Sequence, residues 1–121
     1  MKTLCFDIDG TICTQTPGNY NLAKPYEEAL NTINQLYEEG FKIIFFTSRF
    51  MGRNCGDTIK AYNEGYEFTK KQLDDWGFKY HELYMGKPMH DIYIDDKCLF
   101  YQNDWDVIYK KIKERLDEDI H

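Results

Sequence analysis

Short apolar runs alternate along the chain with segments in which apolar residues recur at helical spacing. Runs of this length are typical of β-strands, and they stand at residues 3–8, 42–46, 79–84 and 91–95. The second run, KIIFF, is almost entirely apolar, which is typical of a parallel strand covered on both faces. The pattern therefore predicts four strands in one parallel sheet.

Three helices fit between and after these strands. The first begins at Pro25, a residue favoured in the first turn of a helix, and ends at Gly40. The second starts near Asp57, which has the side chain of a good N-cap, and ends before Gly77. The third opens at residues 103–104. Strands that alternate with helices imply right-handed crossovers, so we expect an α/β fold: a three-layer Rossmann-like sandwich with strand order 3-2-1-4.

The second helix has one irregular feature. Its larger apolar residues recur at alternating four- and three-residue steps, at Tyr62, Tyr66, Thr69, Leu73 and Trp76. Gly65 lies within this pattern and weakens a helix interior, so it marks a candidate break.

Length and composition indicate one globular domain over residues 1–121. The net charge of −6 argues against a general nucleic-acid-binding protein, because such proteins need a basic surface. The four cysteines form no CxxC pair, and the N-terminal residues do not resemble a signal peptide, so reduced thiols and a cytoplasmic location are expected. No apolar run approaches the roughly 18 residues that span a bilayer, so no membrane partner is expected.

The chemistry is concentrated where the predicted strands end, which is where ligands bind in parallel α/β sheets. The polar residues found there are Asp7, Asp9, Thr47, Ser48, Arg49, Lys87, Asp95 and Asp96. Four gathered carboxylates repel one another unless cations compensate their charge, and a magnesium ion together with a lysine would supply that compensation. Gly10 follows the first pair of acids and allows a turn with a close approach of backbone amides to an anion.

The sequence DIDGT, an apolar strand ending in Thr47, then Lys87 and the pair Asp95-Asp96 resemble the four-motif signature of the haloacid dehalogenase superfamily. Order and spacing match over essentially the whole chain. The resemblance implies that Asp7 is the nucleophile that becomes an aspartyl phosphate and that Asp9 is the general acid and base. It implies that Thr47 binds the phosphoryl oxygens and that Lys87 neutralises charge there.

The same resemblance implies a Mg²⁺ cofactor. Its ligands would be Asp7, the main-chain carbonyl of Asp9, and Asp95, with Asp96 either a ligand or a partner through water. Candidate substrate contacts are the residues beside the two motifs, Gly10, Thr11, Ser48 and Arg49.

Cap modules of this superfamily are inserted after the first motif or between the second and third. Residues 12–24, which we term the flap, are too few for a cap, and residues 50–78 hold only a loop and one helix. A capless site is expected, which a large substrate or a neighbouring subunit of a homo-oligomer would close.

Four longer stretches also resemble small phosphatases of capsule and polysaccharide biosynthesis: residues 18–25, 48–57, 72–77 and 86–96. This similarity implies a small phosphorylated metabolite as substrate, such as a sugar phosphate, a nucleotide-sugar derivative or a related precursor. The IDD ending resembles polynucleotide 3′-phosphatase domains as well, and that activity is the alternative. A phospho-accepting signalling module is disfavoured because the paired acids of a receiver domain follow the first strand. A silent scaffold is disfavoured because none of the motif residues is missing.

Overall fold

The computed structural model describes residues 1–120, with side chains to residue 117; His121 lies outside the described residues. Three strands and three helices form an α/β fold in this part of the chain. In chain order these elements are β1 (Thr3–Phe6), α1 (Glu27–Glu38), β2 (Lys42–Phe46), α2 (Thr58–Trp76), β3 (Glu82–Tyr84) and α3 (Trp105–Ile120). No described helix has the length and hydropathy needed to cross a membrane.

The sheet is parallel, with β2 between β1 and β3. Leu4 of β1 lies opposite Ile43, and Phe45 lies opposite Leu83 of β3. The expected order of the first three strands, 3-2-1, is therefore confirmed.

The predicted fourth strand at residues 91–95 does not form, so the four-stranded order 3-2-1-4 is corrected to three strands within residues 1–120. Ile92 and Ile94 are 78% and 91% exposed. A parallel strand beside β1 would have to be reached from β3 across two strands, and such connections take a dozen or more residues. Only residues 85–90 lie between β3 and this segment.

All three helices pack on one face of the sheet. Asn34 of α1 donates to the Gly77 carbonyl at the end of α2, and Glu39, the residue after α1, pairs with Lys113 of α3. The three helices and the sheet residues Phe6 and Phe45 share one buried cluster. On the opposite face Cys5 and Tyr84 are exposed. The expected three-layer sandwich is thus a two-layer arrangement among the described residues, because α3, the helix that follows β3, packs beside α1 and leaves the second face of the sheet uncovered.

The ends of α2 agree with the sequence-based expectation. Asp57 caps the N-terminus, since its carboxylate accepts from the amides of Ile59 and Lys60. Gly77 ends the helix in a left-handed conformation at φ 91°. These two residues fix the length of the helix that carries part of the candidate site.

Gly65 does not break α2, which runs unbroken from Thr58 to Trp76. It is buried together with Ala61, whereas Tyr62 is 49% exposed, so the predicted apolar face is rotated toward the small residues. A Cβ at position 65 would overlap the ring of Phe50. Gly65 therefore gives the loop after β2 room to lie directly on the helix.

Candidate active site

The first acidic motif forms a tight turn after β1. Ile8 is fully buried, and its carbonyl accepts from the amides of Thr11 and Ile12. Gly10 has φ 81°, a conformation that residues with a side chain rarely adopt. The turn anchors Asp7 and Asp9 through the buried residue between them.

Asp7 lies within reach of a lysine and a hydroxyl. Lys87 Nζ is 3.5 Å from Asp7 Oδ1, and Thr11 Oγ1 donates to Asp7 Oδ2 at 3.2 Å. The Asp7 side chain is 38% exposed, so one side of the carboxylate faces solvent. This is the environment that an accessible anionic nucleophile requires.

A backbone hydrogen bond fixes the position of Lys87. Its amide donates to the Thr47 carbonyl at 3.1 Å, directly after Gly86 turns the chain at φ 93°. The Thr47 amide in turn donates to the Tyr84 carbonyl, which extends the ladder between β2 and β3. The structure thus brings the first, second and third predicted motifs together at one edge of the sheet.

Thr47 itself is almost fully buried. Its Oγ1 accepts from the Arg49 amide at 3.1 Å, which leaves the hydroxyl proton available as a donor. Ser48 Oγ donates to the Pro88 carbonyl at 3.4 Å, so this predicted substrate contact joins the two loops at the site.

Arg49 lies inside the protein, although the sequence suggested a substrate contact. Its Nε and Nη2 donate to the two oxygens of Asp9 at 2.8 and 2.9 Å, and only 1% of its side chain is exposed. This paired geometry is the strongest form of an arginine–carboxylate contact. In this structure Arg49 therefore orients the predicted general acid.

Two further residues complete the surroundings of Arg49, and neither is among the predicted catalytic, substrate-binding or metal residues. Gln72 of α2 accepts from Arg49 Nη1 at 2.6 Å, and the Tyr20 ring lies 4.8 Å from the guanidinium carbon. Gln72 belongs to residues 72–77, one of the stretches that resemble small phosphatases, but its position in the helical pattern does not indicate a contact with Arg49. Both contacts depend on how α2 and the flap pack.

Cys13 is the buried neighbour of Asp9. Its Sγ donates to Asp9 Oδ1 at 3.6 Å. Burial, followed by the charge of Asp9, raises the pKa of Cys13 to about 12. The residue is therefore a thiol at neutral pH and serves as a weak hydrogen-bond donor.

The predicted metal residues of the fourth motif lie apart from this arrangement. Asp95 and Asp96 are exposed in the segment that forms no strand. The Lys97 amide, and after it the Asp96 side chain, holds the pKa of Asp95 below its ordinary value. Among residues 1–117, whose side chains the structure describes, no three His, Cys, Asp or Glu side chains are placed to hold a metal ion together. The predicted ligands suit Mg²⁺ in their chemistry, but their arrangement here does not assemble the site.

The segment nevertheless passes beside the site. Lys87 Nζ lies 5.0 Å from the centre of the Tyr93 ring. Although Cys5 is exposed at the surface, the protein around its thiol removes part of the water and raises its pKa. The charge of Lys87 lowers this pKa, and the charges of Asp7 and Asp95 raise it. Cys5 is thus close enough to Asp7 and Asp95 for both charges to affect its pKa.

A separate open cavity of about 480 Å³ lies between α1, α2 and β3, away from these residues. Tyr37, Tyr80 and His81 contribute to its wall. Its two lysines, Lys70 and Lys79, are paired with carboxylates. The cavity contains none of the predicted site residues.

Comparison with known proteins reveals likeness in structure. A structural-genomics target from Vibrio cholerae superposes with a TM-score of 0.76 at 26% identity, covering 93% of this chain and 100% of that one. D,D-heptose 1,7-bisphosphate phosphatase from B. bronchiseptica, solved with magnesium and phosphate, gives 0.52 at 20% identity, covering 97% and 64%. The Pnkp1/Rnl/Hen1 complex gives 0.53 at 18%, covering 93% of this chain and 33% of that one.

No family model matches the sequence, and no curated protein matches it. The similarity is carried by the three-dimensional arrangement. The likeness is one of fold, and one of the proteins that share this fold is a D,D-heptose bisphosphate phosphatase, which agrees with the fold that the motifs led us to expect.

Proposed function

We propose that this protein is a magnesium-dependent phosphate monoester hydrolase. The observation that carries the proposal is the pairing of each acid in the first motif with its own cation. Asp7 is solvent-accessible beside Lys87, and Asp9 is held by both arms of Arg49. Two acids with such different surroundings are suited to two different roles in one reaction.

In the first step, an Asp7 oxygen attacks phosphorus and the bond from phosphorus to the ester oxygen breaks. For this step Asp9 carries a proton on one oxygen and is bound to Arg49 through the other. It gives that proton to the leaving alkoxide, which yields a free alcohol and an aspartyl phosphate. Lys87 offsets the negative charge of Asp7 and the phosphoryl group as they approach. The Thr47 hydroxyl is the candidate donor to a phosphoryl oxygen.

In the second step, water attacks the phosphorus of the aspartyl phosphate. Asp9, now ionised, accepts the proton of that water, and the bond between Asp7 and phosphorus breaks. Inorganic phosphate leaves and both acids return to their starting forms. Once the proton has left, Arg49 holds the ionised Asp9 carboxylate by both oxygens and orients it toward the attacking water.

Two observations support magnesium as the cofactor: the ligand bound by a structural neighbour, and the chemistry of the predicted metal-binding side chains. A structural neighbour was solved with magnesium and phosphate. The carboxylates of Asp7, Asp95 and Asp96 are the hard oxygen ligands that Mg²⁺ prefers. Bound there, the ion would neutralise phosphate charge. Tyr93 contacts Lys87, which supports the proposal that the segment carrying Asp95 and Asp96 lies close to the site.

We propose a small phosphorylated metabolite of capsule or polysaccharide synthesis as the substrate. The resemblance of residues 18–25, 48–57, 72–77 and 86–96 to small phosphatases of capsule and polysaccharide biosynthesis supports this class. The likeness to the Pnkp1/Rnl/Hen1 complex keeps a polynucleotide 3′-phosphatase as the second candidate. The formal charge of −6 favours the metabolite.

The test is release of inorganic phosphate from a panel of sugar, nucleotide and DNA 3′-phosphates. The wild type is compared with Asp7→Asn, each with Mg²⁺ and with EDTA, and Asp75→Asn on the exposed face of α2 is the matched control. The proposal expects turnover by the wild type and the control only with Mg²⁺, and none by Asp7→Asn. Equal turnover by Asp7→Asn, or no release from any compound by folded wild type, would contradict it.

A further inference from the structure

Gln72 connects two parts of the site through the two atoms of its amide. Its Oε1 accepts from Arg49 Nη1 at 2.6 Å, and its Nε2 donates to the Tyr20 carbonyl at 2.7 Å. Both ends of the side chain are therefore engaged, one inside the protein and one on the flap. A side-chain amide whose oxygen accepts one hydrogen bond and whose nitrogen donates another has a single favoured orientation.

The contact from Gln72 completes the constraint on Arg49. Two arms of the guanidinium bind Asp9, the third binds Gln72, and the face lies against Tyr20. Because the group is planar, a rotation that follows the loss of the Gln72 contact also moves the two arms that bind Asp9. The position of the Asp9 carboxylate thus depends on a residue that does not touch it.

The same side chain holds the flap. Tyr20 is fixed a second time, since its hydroxyl accepts from the Phe50 amide at 3.2 Å. Arg53 Nη2 donates to the Gly18 carbonyl at 2.6 Å. The flap is therefore attached to α2 and to the loop after β2, and Gln72 takes part in both this attachment and the fixing of Arg49.

We propose that Gln72 is a positioning residue that aligns Asp9 through Arg49 and couples this alignment to the position of the flap. The inference rests on the proposed function, in which Asp9 protonates the leaving oxygen. Gln72 contributes no proton and does not contact the phosphate.

The role has a kinetic signature. A misaligned Asp9 slows the step in which the leaving group needs a proton. Alkyl phosphates need that proton, whereas p-nitrophenyl phosphate has a leaving group that departs without it. For kcat/KM, which reports on formation of the aspartyl phosphate, the damage is therefore greater with alkyl substrates. A general loss of folding affects both substrates alike.

The experiment measures kcat/KM on an alkyl phosphate and on p-nitrophenyl phosphate. Gln72→Met removes both contacts at similar volume, and Gln72→Glu keeps an acceptor for Arg49 but loses the donor to the flap. Gln35→Met, exposed on α1, is the matched control. The Gln72→Met variant is expected to lose roughly tenfold or more on the alkyl phosphate beyond its loss on p-nitrophenyl phosphate.

The Gln72→Glu variant is expected to regain the alkyl phosphate activity while KM rises for both substrates, because the flap is released. Equal losses on the two substrates in both variants, or wild-type kinetics in Gln72→Met, would overturn the proposal. If Gln72→Met does not fold, the same comparison is made with Gln72→Glu, which must then show the rise in KM without a selective loss.

A second readout does not depend on activity. The Arg49 Nε proton, observed by NMR, is expected to exchange slowly in the wild type and Gln35→Met and faster in Gln72→Met. Unchanged exchange in Gln72→Met overturns the positioning role even if the enzyme is active. A wild type that hydrolyses neither substrate overturns the proposed function, whereas slow exchange lost on mutation still supports the structural coupling.

Discussion

Lys87 Nζ lies 3.5 Å from Asp7 Oδ1, and this contact joins the end of β1 to the loop after β3. Lys87 reaches this point because its amide is bound to the Thr47 carbonyl. The pair places one positive charge beside the proposed nucleophile. Its geometry leads to the first prediction.

Replacing Lys87 by Met is expected to lower kcat/KM on the order of 100-fold, because the charge on the phosphoryl group loses a preorganised cation. Phosphate release from the best substrate measures the effect. Lys71→Met, on the exposed face of α2, serves as the control and is expected to match the wild type. A Lys87→Met variant as active as this control would refute the charge role.

Replacing Gly65 by Ala is expected to destabilise the protein by about 1–3 kcal/mol, because the added methyl group meets the Phe50 ring. An exposed helical glycine would respond in the opposite direction, since alanine is the better helix former. Chemical denaturation measures the change in the free energy of unfolding. The double variant Gly65→Ala, Phe50→Ala is expected to lose less than the sum of its two single changes. Additive losses would mean that the two residues do not meet.

The buried Cys13 thiol makes stability depend on alkaline pH. Its pKa is raised from 9.0 to about 12, so above pH 9 the unfolded chain releases a proton that the folded chain retains. The unfolding free energy therefore falls as pH rises from 9 toward 12, by about 2 kcal/mol at a pH of about 10.5. Urea unfolding at a pH of about 9 and at a pH of about 10.5 measures this change in the free energy of unfolding. The Cys13→Ala variant is expected to lose less stability over the interval, and an equal loss would assign the slope to other groups.

Replacing Asp95 by Asn is expected to raise the Mg²⁺ concentration for half-maximal activity by at least about tenfold, since the proposed site loses an anionic ligand. Asp91→Asn lies in the same exposed segment and is the matched control. Titration of phosphate release with MgCl₂ measures the difference. If both variants follow the wild-type curve, Asp95 has no part in metal binding.

The sequence predicted the parts of the fold that depend on local signals. Asp57 and Gly77 mark the ends of α2 by side-chain capping and by a positive φ, which are local properties. The apolar runs at β1 and β2 likewise identified strands without knowledge of their partners. The juxtaposition of Asp7 with Lys87 followed from the rule that parallel strands end at one edge.

The failures concern features that depend on distant residues. The run at 91–95 has the alternation of a strand, but strand formation also requires a connection long enough to reach a partner. Gly65 looked like a break because the sequence does not reveal that Phe50 packs against it. Arg49 looked like a substrate contact because its partner Asp9 lies 40 positions away in the chain, and only the folded structure brings the two together.

The outer edge of β1 and the apolar residues at 92–94 have a consequence for the protein at high concentration. β1 presents backbone groups on one side that no described strand pairs with, and Ile92 and Ile94 lie exposed in the same molecule. An open strand edge is a template for a strand from another chain. Each molecule thus carries both an exposed segment and an open strand edge, so at high concentration one chain can add this segment to β1 of another.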